Sequence, residues 1–149
     1  MYFLSYDEPA LALVGLHTPG RDADDFDRHL EALQRLHDDV RLAGGVGRFV
    51  VVAQEGARPP GPDERRRMAE IVENGSDVRF VLVTRSPLQR AIVTAVGWRL
   101  RERGRRATAC ATFEEACSWM AAQTGRESTV LRRLLAGVQT AALRTTVAG

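Results

Sequence analysis

Two runs constrain this chain more than any other feature: Arg48-Phe49-Val50-Val51-Val52-Ala53 and Val78-Arg79-Phe80-Val81-Leu82-Val83-Thr84. Neither alternates apolar with polar over its β-branched stretch, so each reads as a short strand covered on both faces. Strands of that kind belong to mostly parallel sheets with helices packed above and below. The segments around them carry the matching signal. Phe26, Leu30, Leu33, Leu36 and Val40 step by four, three, three and four, which is one helical stripe, with Asp22 expected as its cap and Ala43-Gly44-Gly45 as its stop.

The remaining elements follow by the same reasoning. Tyr2 to Tyr6 and Leu11 to Leu16, joined by Asp7-Glu8-Pro9, form an expected β-hairpin. Gly56 to Pro62 holds three prolines and two glycines and must be a loop. Asp63 is the expected cap of a helix through Met68, Ile71 and Val72 to Asn74-Gly75. Ser86-Pro87-Leu88-Gln89 opens the next helix, whose expected buried stripe is Leu88, Ile92, Val96 and Leu100 and whose stop is Gly104. A short strand near Ala107 to Cys110 precedes Thr112-Phe113-Glu114-Glu115, a capping box for a helix carrying Phe113, Ala116, Cys117 and Met120.

The order is β-β-α-β-α-β-α-β-α, followed by one extra amphipathic helix with Val130, Leu131, Leu134, Leu135, Val138 and Ala142 on its stripe. The expected fold is therefore α/β: a four- to five-stranded, mostly parallel sheet with an antiparallel edge strand. Residues 1–123 form the expected domain and residues 124–149 the C-terminal helix and tail. If Trp98 faces away from the Leu88/Ile92/Val96 stripe it needs a cover, which the extra helix from Ser128 to Leu143 can supply; the alternative is that this helix pairs with another chain. Trp119 is expected in or beside the core.

Composition excludes several chemistries. All 21 basic residues are arginine, and a chain without lysine forms no Schiff base and completes no Walker A loop. The arginine bias itself reads most simply as a GC-rich coding background. Cys110 and Cys117 are too few for a disulfide framework and are not spaced as CxxC; one on an interior strand and one on a buried stripe, they are expected to be inert. There is no G-x-S-x-G elbow, no H-E-x-x-H, and no glycine-rich loop between a strand and a helix. His29 and His37 are eight residues apart on one helix, too far to share a metal unaided, and Asp25, Glu31 and Asp38 read as a solvated face. No enzyme activity, cofactor or metal is expected. The short, early-charged N-terminus and the lack of an 18-residue apolar run lead to the expectation of a cytoplasmic protein without a membrane span.

Charge is distributed unevenly. Residues 1–78 hold 9 Arg against 15 acidic residues, and residues 79–149 hold 12 Arg against 4, so a net charge of +2 conceals balances of −6 and +8. Arg99, Arg101, Arg103, Arg105 and Arg106 gather at one helix end, a candidate anion-binding patch, although cations at a helix C-terminus need no ligand to explain them. Nucleic acid is disfavoured as a partner, because no basic-aromatic alternation accompanies the cluster. Self-association between the acidic first helix and the basic third helix is a simpler consequence.

The element order, the Arg48 to Ala53 strand leading into a loop and helix, the Val78 to Thr84 strand ending at Ser86-Pro87, and the closing Thr112-Phe113-Glu114-Glu115-Ala116-Cys117-Ser118-Trp119-Met120 resemble the STAS-like domains of the anti-sigma-factor antagonist fold. The resemblance covers roughly residues 2 to 122. Signalling members of that family take a phosphate on a serine at the N-terminus of the helix after the third strand. The matching stretch here, Gln54 to Asp63, contains neither serine nor threonine, so the chain resembles the branch without the phosphorylatable serine; Asp63 and Glu55 offer fixed negative charge at that place. The resemblance implies a non-catalytic bacterial regulatory or signalling domain acting through protein-protein contact, with the partner's identity open and a homodimer allowed. It sets the docking surface beside Arg58, Asp63, Arg65, Arg66 and Arg67. Two other functions stand beside it: a binder of a small apolar or lipid-like ligand, since STAS-like domains resemble lipid-binding folds, and a weak binder of anions or nucleic acid through the 99–106 arginines.

Overall fold

The computed structural model describes residues 1–20, 24–99 and 106–147, and residues 95–99 by their backbone alone. The elements are β1 (Tyr2–Asp7), β2 (Ala12–His17), α1 (Asp25–Ala43), β3 (Gly47–Ala53), α2 (Pro62–Glu73), β4 (Val78–Val83), α3 (Pro87–Arg99), β5 (Ala107–Cys110), α4 (Phe113–Thr124) and α5 (Thr129–Val147). The five strands form one sheet in the order β1-β2-β3-β4-β5. β1 runs antiparallel to β2, and every other neighbouring pair is parallel. The α/β class, the hairpin and the antiparallel edge expected from the sequence are therefore all present.

Successive side chains on a strand point to opposite faces, so each unalternated strand supplies two cores. Leu13, Phe49, Val51 and Val78 face Leu33, Leu36 and Val40 of α1, with Ile71 and Val72 of α2 completing that layer. Ala12, Val14, Leu16, Val50, Val81 and Val83 face Ala116, Cys117 and Met120 of α4 and Leu131, Leu134 and Val138 of α5. Fully burying one such large aliphatic side chain contributes about 1.5–3 kcal/mol. α3 packs along β5.

Local signals act where they were expected. The whole α1 stripe is buried, and Gly44 ends the helix in the left-handed region (φ 67°) with its N–H donating to the Val40 carbonyl. Gly47 sits where any Cβ would lie 2.7 Å from Val40 Cγ2, so only glycine lets α1 close on β3. The α4 box is complete: Glu115 N–H donates to Thr112 Oγ1 at 3.2 Å, and Thr112 N–H donates to Glu115 Oε2 at 3.1 Å.

Three expectations need correction. Asp63 is not the cap of α2: Gly61 holds that position, Pro62 takes the first turn, and Glu64 reaches back to the Gly61 N–H at 2.5 Å. Leu88 is 69% exposed, so it stands outside the α3 stripe; Ile92 is half-buried. Cys110 lies on the edge strand, not an interior one. Of the two placements open to the extra helix, within the chain or against another, the structure shows the first: α5 lies across β1 and β2 and shares its core with α4. Trp119 is half-buried against that core. Asp22, Leu100 and Gly104, and the side chains of Val96 and Trp98, lie outside the described residues.

Candidate functional site

The C-terminal ends of β2 and β3 meet the N-terminal turns of α1 and α2 at one end of the sheet. Parallel α/β sheets commonly place ligands and partners at this end, where strand C-termini, connecting loops and helix N-termini converge. Register brings Tyr2 opposite His17, and their rings stack at 4.0 Å with planes 9° apart. The first turns of α1 add Phe26 and His29. The His29 ring lies 4.8 Å from Tyr2, 5.6 Å from Phe26 and 5.4 Å from Phe49.

This floor is dry. His29 is 2% exposed, and neither of its ring nitrogens has a hydrogen-bond partner among the described residues. Burial pushes both His29 and His17 down to about 4, with mutual repulsion adding for His29 and the Met1 ammonium for His17. Burial, reinforced by the Glu64 charge, pushes Tyr2 up to about 12. All three rings are therefore neutral at pH 7. At its rim, burial alone would raise the Asp25 carboxyl, but the Tyr2 N–H, the Met1 ammonium (3.3 Å) and Arg28 (2.7 Å) outweigh it and hold its pKa low.

The loop from Gln54 to Gly61 closes over the floor. Gln54 N–H donates to the His17 carbonyl at 2.8 Å, and Ala57, 6% exposed, plugs inward. Glu64 then clamps the loop from α2. One of its oxygens takes the Gly61 N–H, the other takes Arg58 Nη2 at 2.6 Å, and these contacts outweigh burial to keep the carboxylate ionised. Arg65 Nη1 donates to the Pro60 carbonyl at 2.8 Å. Arg67 bridges to Asp27 of α1 at 2.8 Å, and Arg66 lies 3.6 Å from both Asp63 and Glu70.

The sequence-derived docking residues thus divide in two. Arg58, Asp63, Arg65 and Arg66 share the outer surface of this loop and helix, with the Asp63 side chain 90% exposed. Arg67 is directed to α1. Sequence reasoning missed Tyr2, His17, Asp25, His29 and Glu64. Gly61-Pro62-Asp63-Glu64 did carry a signal for Glu64, a proline in the first turn with an acid three residues after the cap. His29 carried a weaker one, a polar residue beside Leu30 on the apolar face.

Of the second cluster, Arg106 Nε lies 3.5 Å from Asp77, which also pairs with Arg79. Arg101, Arg103, Arg105 and the Arg99 side chain lie outside the described residues. Burial raises the thiol pKa of both cysteines, so they are protonated at pH 7. Among the described residues, no group of three or more His, Cys, Asp and Glu is placed to hold a metal ion, and no helix is long and apolar enough to cross a membrane. No family model, curated protein or solved structure matches the chain.

Proposed function

We propose that this chain is a non-catalytic bacterial regulatory domain of the STAS-like kind, which docks another protein through the Gln54 to Gly61 loop and the outer side of α2. The observation that carries this reading is the clamped loop. It has no serine or threonine to phosphorylate, and Glu64 holds it in one shape over a packed aromatic floor. A surface held in one conformation costs little further entropy on binding, which suits a constitutive docking face better than a switched one. Asp63, Arg65 and Arg66 give that face charge of both signs, and such patterns set partner specificity and encounter rate.

Replacing Arg65 and Arg66 together by Glu tests this. Proteins enriched stoichiometrically by the tagged wild-type chain from native lysate are identified, purified and titrated by calorimetry. The expected result is at least a ten-fold loss of affinity in the double variant with an unchanged melting temperature. A purified partner that binds both forms equally, or no stoichiometric partner at all, defeats the reading.

A further inference from the structure

The fully buried positions of α5 end at Val138, and beyond it Ala142 is half-buried against the same core. The helix continues to Val147, so its last nine residues run on for roughly 13 Å. They overhang the end of β2 and β3 on the face opposite the aromatic floor. Between overhang and sheet lies an open cleft of about 620 Å³, within the ~300–1,000 Å³ range of small-molecule sites.

The two sides of the cleft differ in chemistry. Phe3 and Leu16 from the sheet and Ala142 and Leu143 from the helix give it apolar walls, and Leu143 is left 69% exposed. Gln54, Gln139, Thr18 and Thr146 supply polar groups that are amides and hydroxyls; Met1 also lines the cleft, but its ammonium is engaged by the Thr18 and Gly20 carbonyls at 2.9 and 3.1 Å and by Asp25 at 3.3 Å. The Gln54 and Gln139 side chains make no hydrogen bond among the described residues, so both amides are available to a ligand. The sheet side is firmly set: Thr18 N–H donates to the Met1 carbonyl at 2.9 Å, and Gln54 N–H to the His17 carbonyl at 2.8 Å.

We infer that this cleft binds an uncharged amphiphile, a short aliphatic chain lying against Leu16 and Leu143 with a hydroxyl-bearing head held by the two glutamine amides. Amides and hydroxyls satisfy such a head, whereas an ionised head would give up water without gaining an opposite charge from them. The inference does not depend on the docking surface, which is built from different residues.

The test uses the purified full chain. The neutral fluorophore N-phenyl-1-naphthylamine is bound first and displaced by 1-decanoylglycerol or by decanoate, both kept below micelle formation. Saturable displacement by the glycerol ester at one per chain is expected, with decanoate at least ten-fold weaker. Ala142→Trp, which fills the cleft, and Thr146→Trp, which does so from an exposed position, are each expected to weaken the ester at least ten-fold. Absence of saturable displacement overturns the inference, as does equal binding of decanoate, or ester binding unchanged in the folded Thr146→Trp variant.

Discussion

His29 shows how one residue's role changes between sequence and structure. As one of three histidines in the first quarter of the chain it invites thoughts of a ligand, yet it is a ring among rings, buried without a hydrogen-bond partner among the described residues. Its folded pKa of about 4 lies below the ordinary 6.5, so the unfolded chain binds the proton first as pH falls. Stability is full above the unfolded value and declines from about pH 7 toward pH 4, by about 3 kcal/mol at most from this side chain. His17 acts in the same window and the same direction. Asp25 and Glu64, held low, retain their contribution until the pH falls through their own folded values, below most of that window. His29→Leu is therefore expected to be more stable than wild type at pH 5 and to show about half the loss between pH 7 and pH 5, by urea denaturation at each pH. An unchanged slope would show that the imidazole is not held neutral. Arg48 makes a similar point. It reads as the first residue of a strand, yet it is 1% exposed and bonds the Ala10 and Glu127 carbonyls at 3.3 and 2.9 Å, tying the hairpin turn to the start of α5.

At the scale of elements, what is local in space was legible. The Thr112-Glu115 box involves groups three residues apart and forms as the sequence pattern predicts. Thr112→Ala should lower the unfolding free energy by about 1 kcal/mol in urea melts, and a change below ~0.3 kcal/mol would mean that α4 does not depend on its cap. Asp63 was misassigned for an equally local reason. Proline is favoured in the first helical turn, and Glu64 rather than Asp63 then has the reach to the cap N–H. Leu88 departs from its expected stripe for a different reason. A 3.6-residue period gives the direction of an apolar face but not how closely the helix approaches the sheet: Leu88 is exposed, and Ile71 and Val72 are only half-buried.

Across the whole molecule, α5 decides most. By covering β1 and β2 it turns an open face into a second core, so Leu134→Ala should cost about 3 kcal/mol, measured by chemical denaturation, with exposure of apolar surface reported by dye binding. A loss under ~1 kcal/mol would mean that the helix is only loosely docked. The fold pairs the charges mostly within each half of the chain. Asp25, Asp27, Asp38 and Asp39 of the acidic helix pair with Arg28, Arg67, Arg41 and Arg35, while Asp7 reaches Arg133 across the two halves of the chain. The α1 pairs lie within the acidic half, whose arginines are already part of its balance of −6, so the excess charge of each half stays on the surface apart from the cross-half pairs such as Asp7 with Arg133. The sequence by itself determined the element order, the doubly covered strands, the hairpin and the helix stops, because each follows from periodicity and hydrogen bonds among near neighbours. Only the tertiary structure decided the linear strand order, the side that each helix covers, the buried histidine floor, the Glu64 clamp beside it and the cleft under α5. Those depend on groups far apart in the chain, such as Arg48 and Glu127, whose meeting is set by the packing of the whole and by no local pattern.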